Sequence, residues 1–154
     1  MPLVGVVMGS KSDSDVVQPM LDALKQLGIE YEVNIISAHR TPEKARTYGL
    51  AARSRGIEVI IAAAGAAAHL PGVLASWTTL PVIGVPLAGS ELKGIDALYS
   101  IVQMPSGIPV ACMAVGNAGA KNAAFMAAAI LSLKHEEIRK TYEKYRSDLQ
   151  GEAR

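Results

Sequence analysis

Five short, largely apolar runs recur along the chain: Leu3–Met8, Tyr31–Ile36, Ile57–Ala63, Pro81–Val85 and Pro109–Val115. Their starts are 28, 26, 24 and 28 residues apart, which leaves room for one helix between each pair. An apolar run that does not alternate suits a strand covered on both faces, and strands separated by helices build a parallel sheet. Right-handed crossovers then give a three-layer, doubly wound α/β sandwich. The 154 residues fit a single domain, residues 1–154, with no linker or low-complexity segment.

The helices between the runs carry recognisable ends. Ser12 or Asp13 can cap the first, which is expected to run to Gly28. Thr41-Pro42-Glu43 places proline just inside the start of the second, which ends near Gly56. The segment Ala118–Leu133 is alanine-rich and apolar nearly all round, with Lys121 its one charge, so it is expected to be buried on every side, with a subunit interface as part of the cover. The last 21 residues hold eleven of the 29 charges and read as a charged C-terminal helix and tail, 134–154. Along it Ile138, Tyr142, Tyr145 and Leu149 form an apolar stripe, while His135 reads as solvated.

Charge and cysteine usage exclude several function classes. A net charge of +1 gives no basic face for nucleic acid. No apolar stretch reaches a convincing membrane span of roughly 20 residues. The N-terminal run is short and glycine-broken, unlike a signal peptide, and the single Cys112 offers no disulfide framework. A cytoplasmic location is the expectation. The scarcity of charge before residue 134 points to surface covered by partner subunits.

In open parallel sheets ligands sit at the carboxyl ends of the strands, where strand order reverses. A 2-1-3-4-5 order makes the first three strands neighbours. It brings together Gly9–Asp13, Ser37-Ala38-His39-Arg40 and Gly65–His69. Ser10 and Ser12 offer hydroxyls at a helix start, a seat for phosphate, although the same spacing also serves helix capping. Asp13 can accept from a ribose diol or simply stabilise the helix dipole. Arg40 can clamp a phosphate with its fork of donors, or be a surface cation. His39 is of the one type in these loops able to give and take a proton near neutral pH. His69 can share the site or start a helix. The three histidines lack metal-ligand spacing, so no metal is expected, and the absence of a Walker or dinucleotide fingerprint disfavours ATP and dinucleotides.

Five blocks carry a resemblance. Met8-Gly9-Ser10-Lys11-Ser12-Asp13, Ser37-Ala38-His39-Arg40-Thr41-Pro42, Ala67-Ala68-His69-Leu70-Pro71-Gly72, Val82-Ile83-Gly84-Val85-Pro86 and Ser100-Ile101-Val102-Gln103-Met104-Pro105 resemble the N5-carboxyaminoimidazole ribonucleotide mutases of purine biosynthesis. The resemblance implies a flavodoxin-like fold and a cofactor-free isomerase. Such an enzyme moves a carboxyl group from the exocyclic nitrogen of a ribonucleotide to ring carbon 4, through trapped CO2. It implies that Ser10, Ser12 and Arg40 hold phosphate and that Asp13 holds the ribose, with Ser37 also on the substrate. It implies that His39 is first general acid and then base. It further implies that His69 and the backbone of Ala63–Ala68 line the base and carboxylate pocket, in a homo-octamer with sites between subunits. There Met104-Pro105 would reach a neighbour's pocket.

The family usually has glycine where this chain has Ala63 and Ala66. Alanine tolerates positive φ poorly, so either those dihedrals are ordinary or the loop is reshaped. Two alternatives stand beside the mutase: a carboxylase acting directly on aminoimidazole ribonucleotide with CO2, and a non-catalytic nucleotide- or flavin-binding module.

Overall fold

The computed structural model describes residues 1–152. Five parallel strands, β1 (Val4–Met8), β2 (Tyr31–Ile35), β3 (Val59–Gly65), β4 (Val82–Leu87) and β5 (Ala111–Cys112), form one sheet in the order β2-β1-β3-β4-β5. Registry is continuous across the centre: Met8 pairs Ile35 on one side and Ala63 on the other. The carboxyl ends of β1, β2 and β3 therefore lie level, as the run spacing predicts.

Six helices cover the sheet: α1 (Ser14–Gln26), α2 (Pro42–Ala52), α3 (Leu70–Trp77), α4 (Ile95–Val102), α5 (Asn117–Leu131) and α6 (Glu136–Glu152). Alternate residues of the central strands feed two cores. Val4, Val6, Ile61, Ala63 and Val85 meet α1 and α5. Val7, Ile60, Ala62 and Ala64 meet α2, α3 and α4. Each fully buried leucine or isoleucine, such as Leu24 or Ile61, contributes roughly 1.5–3 kcal/mol. Helix α2 starts with Pro42 and gives way to a 3₁₀ turn, Arg53–Arg55, that ends at left-handed Gly56. Those are the boundaries its proline and glycine predict.

Three expectations need correction. The first helix is capped neither by Ser12 nor by Asp13: Ser10 caps a 3₁₀ turn, Lys11–Asp13, and α1 follows it. Strand β5 is two residues long, because Pro109 lacks an amide and the chain soon leaves the edge; only Met113 and Gly116 add amide bonds to β4. Within the single chain helix α5 buries one face (Ala120, Ala123, Ala124, Ala127) and leaves Met126 40% exposed, on the side where a partner subunit is the expected cover. His135 is not simply solvated, since its Nε2 lies 3.0 Å from Glu58 Oε2 and ties the α5–α6 turn to the start of β3. Three residues of the α6 stripe pack on their own subunit, Ile138 buried and Tyr142 and Tyr145 stacked on Phe125, while Leu149 stays 43% exposed. No helix among the described residues is long and apolar enough to cross a membrane.

On the edge strand, Glu32 accepts hydrogen bonds from Tyr48 Oη and Arg55 Nη1, both at 2.9 Å, and from Asn34 Nδ2 at 3.2 Å. The Tyr48 hydroxyl occupies the space a side chain on Gly5 would fill, so Gly5 is there for close approach. Burial pushes the Glu32 carboxyl up, but the bonds from Arg55 and Tyr48 outweigh it and hold the group below its ordinary range. Burial, reinforced by the neighbouring carboxylate, pushes the Tyr48 phenol well above its ordinary range.

Candidate active site

The level strand ends open into one cavity of about 280 Å³. The loop after β1 supplies Gly9, Ser10, Ser12 and Asp13; the loop after β2 supplies Ser37, Ala38, His39 and Arg40; the end of β3 supplies Ala64–Ala67 and His69. Gly89, from the loop after β4, also lines it.

Capping and site formation are not alternatives at the first loop. Ser10 Oγ accepts from Ser12 N at 3.3 Å and from Ser12 Oγ at 2.9 Å, while Ser10 N donates to Asp13 Oδ2 at 3.0 Å. This reciprocal cap fixes two hydroxyls at the start of a helix, where amide groups favour an anion. It uses one Asp13 oxygen for structure. Partial burial pushes the Asp13 carboxyl above its ordinary range, further than the Ser10 amide draws it back.

The second loop is held by its own side chains. Thr41 Oγ1 accepts from Ser37 N at 3.1 Å and donates to Ser37 O at 2.9 Å. Ser37 Oγ accepts from Arg40 N at 3.1 Å and from Arg40 Nε at 3.4 Å. Ser37 thus steers the Arg40 side chain through one nitrogen. Among the described residues no carboxylate pairs with Arg40, so its terminal donors are available to an anion.

His39 and His69 come from loops 30 residues apart, yet His39 Nε2 lies 2.7 Å from His69 Nδ1, with the rings edge to face. At that distance one nitrogen carries the proton and the other accepts it. Both rings are exposed to the cavity, so neither is a core histidine. The pair can pass a proton to a bound molecule and take one back. Among the described residues no three histidine, cysteine or acidic side chains converge as a metal site.

Ala66 and Ala63 answer the question their glycine-like positions raise in opposite ways. Ala66 has φ +49°, a left-handed conformation that costs a non-glycine residue roughly 1–2 kcal/mol, and its neighbours turn tightly, with Ala68 N bonded to Ala66 O and His69 N to Ala67 O. Ala63 keeps strand geometry and is fully buried in the core that faces α1 and α5; it is not brought to the cavity, and its carbonyl instead accepts from Gly9 N. Alternation explains this, because a strand residue facing one layer cannot also face the other. Sequence reasoning missed Gly89, whose signal is the glycine directly after a strand, in Leu87-Ala88-Gly89-Ser90.

The chain is 56% identical over 148 residues to the N5-carboxyaminoimidazole ribonucleotide mutase of Pyrococcus horikoshii, covering 96% of this chain and 82% of that protein. It is 53% identical over 146 residues to the protein of the same name from Pseudomonas aeruginosa, covering 95% and 90%. The fold matches the crystal structure of Treponema denticola PurE with a TM-score of 0.87 at 31% identity, over 99% of this chain and 94% of that one. The family model described as AIR carboxylase matches residues 3–152, and the chain belongs to that family.

Proposed function

We propose that this protein is an isomerase of purine biosynthesis that converts N5-carboxyaminoimidazole ribonucleotide to 4-carboxy-5-aminoimidazole ribonucleotide. The observation that carries the reading is one cavity joining a capped serine loop, an arginine with free donors and a pair of histidines in hydrogen-bond contact. The first two suit a phosphate, and the third suits proton transfer at a heterocycle.

In this reading Ser10, Ser12 and Arg40 hold the phosphate, the free oxygen of Asp13 accepts from the ribose, and Ser37 keeps Arg40 in place. The imidazole then lies against the histidine pair and the backbone of Ala64–Ala67. His39 donates a proton to the exocyclic nitrogen as the N–C bond of the carbamate breaks and CO2 departs. Carbon 4 attacks the confined CO2, forming the C–C bond. His39 then removes the proton that carbon 4 still carries, and the ring regains aromaticity. The proton balance closes on one imidazole, with His69 as its hydrogen-bond partner. Small side chains around the strand end let backbone approach a small, dry volume. Holding both fragments there replaces a bimolecular encounter with an intramolecular one.

The protein is proposed to be cytoplasmic and to work as a homo-octamer with sites between subunits. Supporting the assembly, α4 and the loop before it leave Leu92, Ile95, Tyr99 and Val102 exposed on a face that water alone covers poorly. Met104-Pro105, just beyond α4, would complete a neighbour's pocket. The test is turnover of the purified protein on the carbamate substrate, followed spectrophotometrically with no bicarbonate added. Conversion supports the mutase; activity on aminoimidazole ribonucleotide that requires bicarbonate would reassign it as a direct carboxylase.

A further inference from the structure

The loop after β4, Ala88–Gly94, is built with more constraint than a surface connection needs. Gly89 lines the cavity together with the capped serine loop, and a side chain on Gly65 would lie 3.4 Å from Leu87 O and 3.8 Å from Gly89 N. Gly89 therefore sits against the end of β3, where the proposed reaction confines CO2. The next residue is anchored on both sides: Ser90 Oγ donates to Asp96 Oδ2 at 2.6 Å and accepts from Leu92 N at 3.1 Å.

Two further features show that the anchor is maintained at a cost. Lys93 holds φ +53°, a strained conformation for a side chain of its size, and Gly94 follows at φ +91°. A β-carbon on Gly94 would press on Val115 and Ala88, so the loop returns over its own start. In addition, the Ser90 hydroxyl, joined by amides at the start of α4, holds the Asp96 carboxyl below its ordinary range. Capping α4 alone would require neither the strained lysine nor the serine contact.

We propose that Ser90 and Asp96 are positioning residues for the carboxyl transfer, their hydrogen bond bracing the β4–α4 loop so that Gly89 seals the space in which CO2 is retained. This rests on the reading given under Proposed function. Without the brace, Gly89 moves away from Gly65, and CO2 escapes between the two chemical steps. The substrate still binds through Ser10, Ser12 and Arg40, and the histidine pair is untouched.

The experiment supplies the carbamate substrate with carbon-13 in its carboxyl group to the full-length protein in unlabelled bicarbonate buffer, and measures carbon-13 in the product. The wild-type protein is expected to retain the label. Ser90→Ala and Asp96→Asn are expected to lose part of it to the medium and to show about a ten-fold lower kcat/KM, the scale of one charge-assisted hydrogen bond. Ser90→Thr keeps a hydroxyl and should restore retention. A simply destabilised fold would lower yield or urea midpoint without altering the label of the product that forms. Full retention by folded Ser90→Ala overturns the proposal; this variant removes one oxygen from a half-buried loop residue and so decides even if Asp96→Asn does not fold. A wild-type protein that forms no product from the carbamate, or forms it without the label, overturns the mutase reading and the brace with it.

Discussion

Replacing Arg40 with alanine tests the phosphate seat more sharply than any other single change. Its side chain is exposed, steered by a 3.4 Å contact from Nε to Ser37 Oγ, and leaves its terminal donors free. A hydrogen bond to a charged group contributes about 1.5–3 kcal/mol, and an exposed pair falls toward the lower part of that range because water and salt screen it. Allowing about 2 kcal/mol for the fork, Arg40→Ala should weaken ribonucleotide binding roughly 30-fold. Arg40→Lys retains the charge without the fork and should recover only part of that loss. Isothermal titration with aminoimidazole ribonucleotide and with its dephosphorylated riboside separates the phosphate contribution. The drop should appear for the ribonucleotide alone and shrink with added salt. An unchanged affinity, or an equal loss for the riboside, would refute the assignment.

Three other outcomes follow from the same geometry. His39→Asn should still bind the ribonucleotide while kcat falls by roughly 10²–10⁴-fold, the usual contribution of general acid–base catalysis; near-wild-type turnover would remove His39 from the mechanism. Ala66→Gly should relieve the left-handed strain, offset partly by the greater freedom of glycine in the unfolded chain, for a net gain of about 0.5 kcal/mol in urea denaturation. A lower urea midpoint would show that the loop is not strained. Because folding depresses the Glu32 carboxyl, its stabilisation is present above the ordinary glutamate pKa and is lost as pH falls through the lower folded-state value. The Tm difference between wild type and Glu32→Gln should therefore close on acidification; a gap that persists at low pH would contradict this.

The sheet and the position of the site were legible because both follow from periodicity. Runs about 26 residues apart dictate βα units, and the reversal between β1 and β3 dictates where their loops meet. His39, Arg40 and the serine loop converge for that reason, although the assignment of their roles rests on the proposed chemistry. What sequence could not give was the facing of individual residues near a strand end. Ala63 belongs to the core facing α1 and α5, and Ala66, three positions on, belongs to a left-handed turn at the cavity; their shared alanine identity hides the difference. The Glu58 contact of His135 spans 77 residues and leaves no local pattern. The all-round apolar character of α5 predicted complete burial, but the chain itself covers only one of its faces.

The central claim is that an anionic head docked at the first strand end presents an imidazole to the paired histidines. A crystal structure with 4-carboxy-5-aminoimidazole ribonucleotide bound tests it most directly. Phosphate oxygens should lie within hydrogen-bonding distance of Ser10, Ser12 and Arg40, with ring carbon 4 beside His39. A phosphate bound elsewhere, with His39 turned away from the ring, would contradict it.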